Sequence, residues 1–178
     1  MCSVFGFLVI LRVAILRQTT WPGRGDSEGM AEQLLCAIGI EGSGIYIVKF
    51  GLPRYLDALR GIEAAWAADV GAQPLFPRRL ARNLEHLERV VALTPVESAV
   101  LGLGVLIHAE PILDAALDTL GSVKGVRIPR ILGAMLALAT DDVENALSVG
   151  APLARSGLMT IDAVHAGVVA TRIDLIGL

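Results

Sequence analysis

The stretch that most constrains this chain is Thr94-Pro95-Val96-Glu97. A threonine hydroxyl so placed can accept from the N–H three residues on, and the glutamate can reach back to the threonine N–H. Proline at the first helical position gives up an N–H that would have no partner there. The helix opened this way, through Leu101, Val105 and Ile107, is apolar nearly all round and belongs at the centre of a core. Proline heads its neighbours too. From Pro53 to about Ala68, Leu52, Leu56, Leu59, Ile62 and Trp66 recur at three- and four-residue spacings. From Pro77, Leu80, Leu84, Leu87 and Val91 form one stripe, with Arg78, Arg79, Arg82 and Arg89 mostly off it. Pro111 opens a helix to Gly121 with Leu113, Leu117 and Leu120 inward, and Pro129 opens another over Ile131 to Leu138. Thr140 is expected to cap a further short helix with Val143, Ala146 and Leu147 on its inner face. The fold class is mainly α, and Leu101, Leu117, Leu132, Leu147 and Leu158 are expected to be buried together.

The flanks read differently. Val4 to Leu16 is apolar but interrupted by Arg12, well short of the roughly 20 apolar residues of a membrane span. Its arginines follow the apolar stretch, unlike those of a signal peptide. Thr19 to Ser27 reads as a linker, so residues 1–29 are expected to stand outside the domain, as an apolar extension or a mis-set translation start. Residues 30–76 read as a small α/β segment, with a helix over Glu32 to Ile38 and a strand over Ile45 to Phe50. Residues 77–178 form the helical domain. Past Pro152 the period changes, and Leu158–Ile161 and Val168–Ile173 read as two strands around a small loop. Helix, turn, short helix and hairpin are the outline of a winged helix: a helical bundle ending in a helix-turn-helix plus β-hairpin.

Composition narrows the function. Of 178 residues 54% are apolar and only 4% aromatic, so the core is built from Leu, Ala, Val and Ile. The net charge of −3 opposes non-specific nucleic-acid binding, which needs a basic surplus. Residues 91–178 hold five basic and nine acidic groups. The expected recognition helix, Asp141 to Ser148, has three acids and no base, so specific duplex binding is disfavoured against a protein partner. Cys2 and Cys36 make neither a disulfide framework nor a four-cysteine zinc site. Lys49 and Lys124 stand in no phosphate-binding loop, and Gly102-Leu103-Gly104 lies within a helix, where close packing explains it. His108-Ala109-Glu110 lacks the downstream cysteines of a zinc deaminase. No catalytic, cofactor or metal residue is therefore assigned. The candidate interaction surface is acidic at Glu110, Asp114, Asp118, Asp141, Asp142 and Glu144, and basic at Arg78, Arg79 and Arg82. The acids at 110, 114 and 118 share one helix face, which cannot surround a cation alone.

Asn83-Leu84 through Leu93-Thr94-Pro95-Val96-Glu97-Ser98-Ala99-Val100-Leu101, and Val143-Glu144-Asn145-Ala146-Leu147 to Leu153-Ala154-Arg155-Ser156-Gly157-Leu158, resemble segments of certain bacterial AAA+ ATPases. The resemblance covers about residues 76–174, the helical, winged-helix-like region ahead of the ATPase module. It implies a cytoplasmic, non-catalytic part in regulation or substrate recruitment, with a protein partner or an AAA+ core to act on. The chain departs from that family in having no Walker motif, so it is expected to be the N-terminal piece of a truncated ATPase and to have no cofactor. The alternative is a winged-helix transcription regulator. A membrane contact is open only to residues 4–16.

Overall fold

The computed structural model describes residues 4–20, 52–70, 76–118 and 127–159. Among them are eight helices: α1 (Val4–Thr20), α2 (Leu52–Val70), α3 (Arg78–Val91), α4 (Pro95–Ala109), α5 (Pro111–Asp118), α6 (Ile128–Leu136), α7 (Thr140–Ala146) and α8 (Pro152–Ser156). The mainly α expectation holds. Helix α4 runs through the middle and packs on α3, α5, α6, α7 and α8. Val100, Leu101, Leu103, Leu106 and Ile107 are buried along it, which leaves almost no side of the helix to water. No single helix among the described residues is long and apolar enough to cross a membrane; α4 and α5 are apolar together but bend by 106° at their joint.

Two glycines let the helices approach. A methyl on Gly102 would lie 2.6 Å from Phe76 Cζ and 2.8 Å from Leu84 Cδ1, so the bare backbone of α4 is what seats these two side chains, one just before α3 and one in its middle. The close-packing reading of this glycine is thereby accounted for. A methyl on Gly133 would lie 2.9 Å from the Leu138 carbonyl oxygen, and the Gly133 carbonyl accepts from the Leu138 N–H at 2.8 Å. This fixes the tight turn from α6 into α7, in which Ala137 takes the left-handed conformation (φ 57°).

The largest correction concerns the N-terminus. Residues 1–29 were expected to stand outside the domain, yet α1 packs against α2, α5 and α6. Leu8, Val9, Ile10, Leu11, Val13 and Ala14 are at most 2% exposed. A helix apolar on every side finds cover on every side. Arg12, which interrupts the apolar run, is neutralised: its Nε meets Glu63 Oε1 of α2 at 2.7 Å, and Nη1 donates to the Met135 carbonyl at 2.7 Å. That carbonyl belongs to the last turn of α6, where helix carbonyls lack intrahelical partners and a cation is favoured.

Smaller differences are local. The N-cap of α7 is Ala139, and Thr140 is already helical with no side-chain cap hydrogen bond. Pro152 opens a short helix, α8, that was not expected, closed by Gly157 at φ 68°. Leu158 and Met159, where the first hairpin strand was expected to begin, are not strand. The rest of that hairpin, the helix over Glu32 to Ile38 and the strand over Ile45 to Phe50 lie outside the described residues. Of the five leucines, Leu101 and Leu117 are buried, and Leu132, Leu147 and Leu158 pack partly buried against the same core.

Candidate functional site

The capping box forms as its spacing dictates. Glu97 N–H donates to Thr94 Oγ1 at 3.2 Å, and Thr94 N–H donates to Glu97 Oε2 at 2.7 Å. The second carboxylate oxygen does something the local sequence does not announce: Oε1 accepts the Leu153 N–H at 2.8 Å. Leu153 lies in the first turn of α8, where helical N–H groups have no partner of their own. One carboxylate thus closes two helix N-termini, the end of the helix dipole where negative charge is favoured. Glu97 is 1% exposed. Burial pushes its carboxyl pKa up, but the hydrogen bonds from the Thr94 and Leu153 backbones and the Thr94 hydroxyl outweigh that and hold it below its ordinary value. With each oxygen bound by a backbone N–H from a different segment, Glu97 ties the head of α4 to the head of α8.

The anchor shapes an open cleft of about 290 Å³. Thr94 and Val96 come from the head of α4, Asp142, Asn145 and Ala146 from α7, and Pro152 from the head of α8. Its size is at the low end for ligand pockets. Val96, Ala146 and Pro152 provide apolar wall, while Asp142 and Asn145 are exposed and bring a carboxylate and an amide. Such a cleft suits one side chain with an apolar stem and a cationic head, which can bury the stem and keep the head at the rim.

The residues singled out from sequence are dispersed. Asp141, Asp142 and Glu144 are exposed on α7, and Asp142 lines the cleft. Arg78, Arg79 and Arg82 are exposed on α3, and among the described residues no ion pair joins them to an acid. Glu110 is half-buried at the joint of α4 and α5, and Asp114 is exposed on α5; Asp118 closes that helix. Neither Glu110 nor Asp114 reaches the cleft. Among the described residues no group of three or more His, Cys, Asp or Glu is placed to hold a metal ion. Sequence reasoning passed over Val96, Asn145 and Pro152. The one available signal was Pro152 followed by Gly157, the proline-first, glycine-after order of a short helix. The chain matches no family model, no curated protein and no solved structure.

Proposed function

We propose that this chain is a non-catalytic protein-interaction module that recruits a basic segment of a partner into the cleft between α4, α7 and α8. The observation that carries this reading is the cleft itself, an apolar slot with the exposed Asp142 and Asn145 on one wall and Asp141 and Glu144 on the same short helix. An arginine or lysine of the partner would lay its stem on Val96 and Pro152 and set its charge beside Asp142. The tight α6–α7 turn agrees with a winged-helix-like arrangement, and the resemblance to the region ahead of an AAA+ core agrees with a recruiting role; an AAA+ core is then one natural partner. The acids on α7 turn this surface away from phosphate, which argues against a DNA reader.

Fluorescence anisotropy tests the proposal with a labelled nonapeptide rich in arginine and alanine, against one in which glutamate replaces arginine. Saturable binding of the basic peptide alone, weakened about tenfold by Asp142→Lys, is expected, since reversing a rim charge changes both steering and pairing. Equal binding of both peptides, or indifference to Asp142→Lys, would overturn it.

A further inference from the structure

The outer face of α3 carries four exposed arginines. At 100° per residue, Arg78, Arg82 and Arg89 fall within about 40° of arc, and Arg79 lies within about 100° of Arg78. All four are exposed over a length of about 16 Å, with Glu85 at one edge. The opposite, apolar face of α3 is occupied, with Leu84 buried and Leu80, Leu87 and Val91 packed against the core. The helix therefore has no apolar side left to insert into a lipid surface. Arg89 Nε donates to the Glu85 carbonyl at 3.2 Å, and among the described residues no ion pair joins these arginines to an acid, so the face is open to an anionic partner.

The same chain carries a matching surface. Asp141, Asp142 and Glu144 are exposed on α7, without an ion pair among the described residues. A second, independent coincidence joins the two faces. Among the described residues the exposed large hydrophobics are Val90, 67% exposed at the end of α3, and Val149, 92% exposed in the turn after α7. Val90 adjoins Arg89 at the end of a helix dominated by exposed arginines, with Glu85 among them, and Val149 follows a helix whose exposed charges are all acidic. An apolar contact ringed by complementary charge is how small specific interfaces are built.

We propose that the chain self-associates, with Val90 and the arginine face of α3 in one copy docking on Val149 and the acidic α7 of another. This rests on the docking role of the cleft proposed above and supplies its occupant: an α3 arginine of the second copy, seated beside Asp142. In a closed two-fold dimer each pair of surfaces is used twice.

Sedimentation velocity of the full chain at low salt tests this, over about 5–500 μM, the range suited to a small, charge-rimmed interface. Concentration-dependent association is expected. Arg82→Glu with Arg89→Glu, and separately Asp141→Lys with Asp142→Lys, should each weaken it at least tenfold. An equimolar mixture of the two variants should associate again, because every contact in a mixed dimer is then attractive; a variant that had merely failed to fold could not be rescued this way. Val149→Asp should weaken association without lowering the thermal midpoint. A monomer throughout the range overturns the proposal, as does association that both reversals leave intact or that mixing does not restore. The arginine nonapeptide separates the two readings. A monomeric chain that binds it through Asp142 keeps the docking role and loses self-association, whereas a monomeric chain that ignores it loses both. A monomer that instead binds inorganic polyphosphate through Arg82 and Arg89 assigns the α3 face to another anion and overturns the proposal.

Discussion

Helices α1 and α4 are both strongly apolar and both end in the core, but they arrive there by different physics. Helix α4 is specified by its own residues: a threonine, a proline and a glutamate fix its start within one turn, and its packing follows. Helix α1 has no acid in its first turn and no stripe that distinguishes an inside from an outside. What places it is remote, an ion pair to α2 and a hydrogen bond to the end of α6, with apolar cover on all sides. A helix boundary can be local; a helix location cannot.

The sharpest way to break this comparison is to delete residues 1–20. Leu8, Val9, Ile10, Leu11 and Val13 are all buried. At about 1.5–3 kcal/mol per side chain, their loss is comparable to the whole stability of an ordinary domain. The truncated chain should therefore show no cooperative thermal transition by circular dichroism. A midpoint equal to that of the full chain would mean that α1 adds nothing to the core.

That expectation reverses the one drawn from sequence alone, and the reason is instructive. Arg12 is separated from Glu63 by 51 residues and from Met135 by 123. No window short enough to read as a pattern contains both ends of either contact, so an apolar run broken by a charge looked like something outside the domain. The starts of α2 to α6 were legible because proline and capping side chains act within a few residues. Of the candidate site, Asp142 could be picked out by charge, but the cleft lies where the heads of α4 and α8 meet α7, and Glu97 reaches Leu153 there across 56 residues of chain.

Glu97 gives the next largest effect, on the side of the comparison where local sequence dominates. Glu97→Ala leaves the Thr94 and Leu153 N–H groups without their acceptor and should cost about 3 kcal/mol, a midpoint lower by about 10 °C. Glu97→Gln can still accept one of the two bonds but turns an NH₂ towards the other donor, so it should cost less, about 1–2 kcal/mol. The pH dependence has a fixed sign. With the folded carboxyl held below the ordinary value of 4.5, the stability it provides is fully present above that value. It is lost as pH falls from there through the lower folded pKa. Glu97→Gln should remove that part of the acid destabilisation. An unchanged acid limb in the variant would place the sensitivity elsewhere.

On the other side, the Arg12–Glu63 pair should show the modest coupling of a partly exposed bridge, its side chains being 12% and 29% exposed. A double-mutant cycle with Arg12→Ala and Glu63→Ala should give about 1 kcal/mol. Arg12→Ala alone should cost more than Glu63→Ala, because it also leaves the Met135 carbonyl without its donor. The reverse order would show that the hydrogen bond to α6 contributes little and that the ion pair alone holds α1 in place.

The smallest effect tests whether the boundary of α4 is as local as the capping box suggests. Helix α3 ends at Ala92, whose φ of 58° puts a residue with a Cβ in the left-handed region two residues before Thr94. That conformation costs an alanine about 1–2 kcal/mol and a glycine almost nothing. Glycine also gives the unfolded chain more freedom, which offsets about 0.4–1 kcal/mol of the gain. Ala92 is exposed, so no packing is lost with its methyl. The balance for Ala92→Gly is a stabilisation of about 0.5 kcal/mol, a midpoint raised by about 1–2 °C. Ala137, exposed at φ 57° after α6, should respond in the same way, and as the two sites share no partner the gains should add. If Ala92→Gly lowers the midpoint, the joint between α3 and α4 is held by the packing of Phe76 and Leu84 on Gly102 and not by its own backbone. The start of α4 would then be as dependent on distant residues as the position of α1.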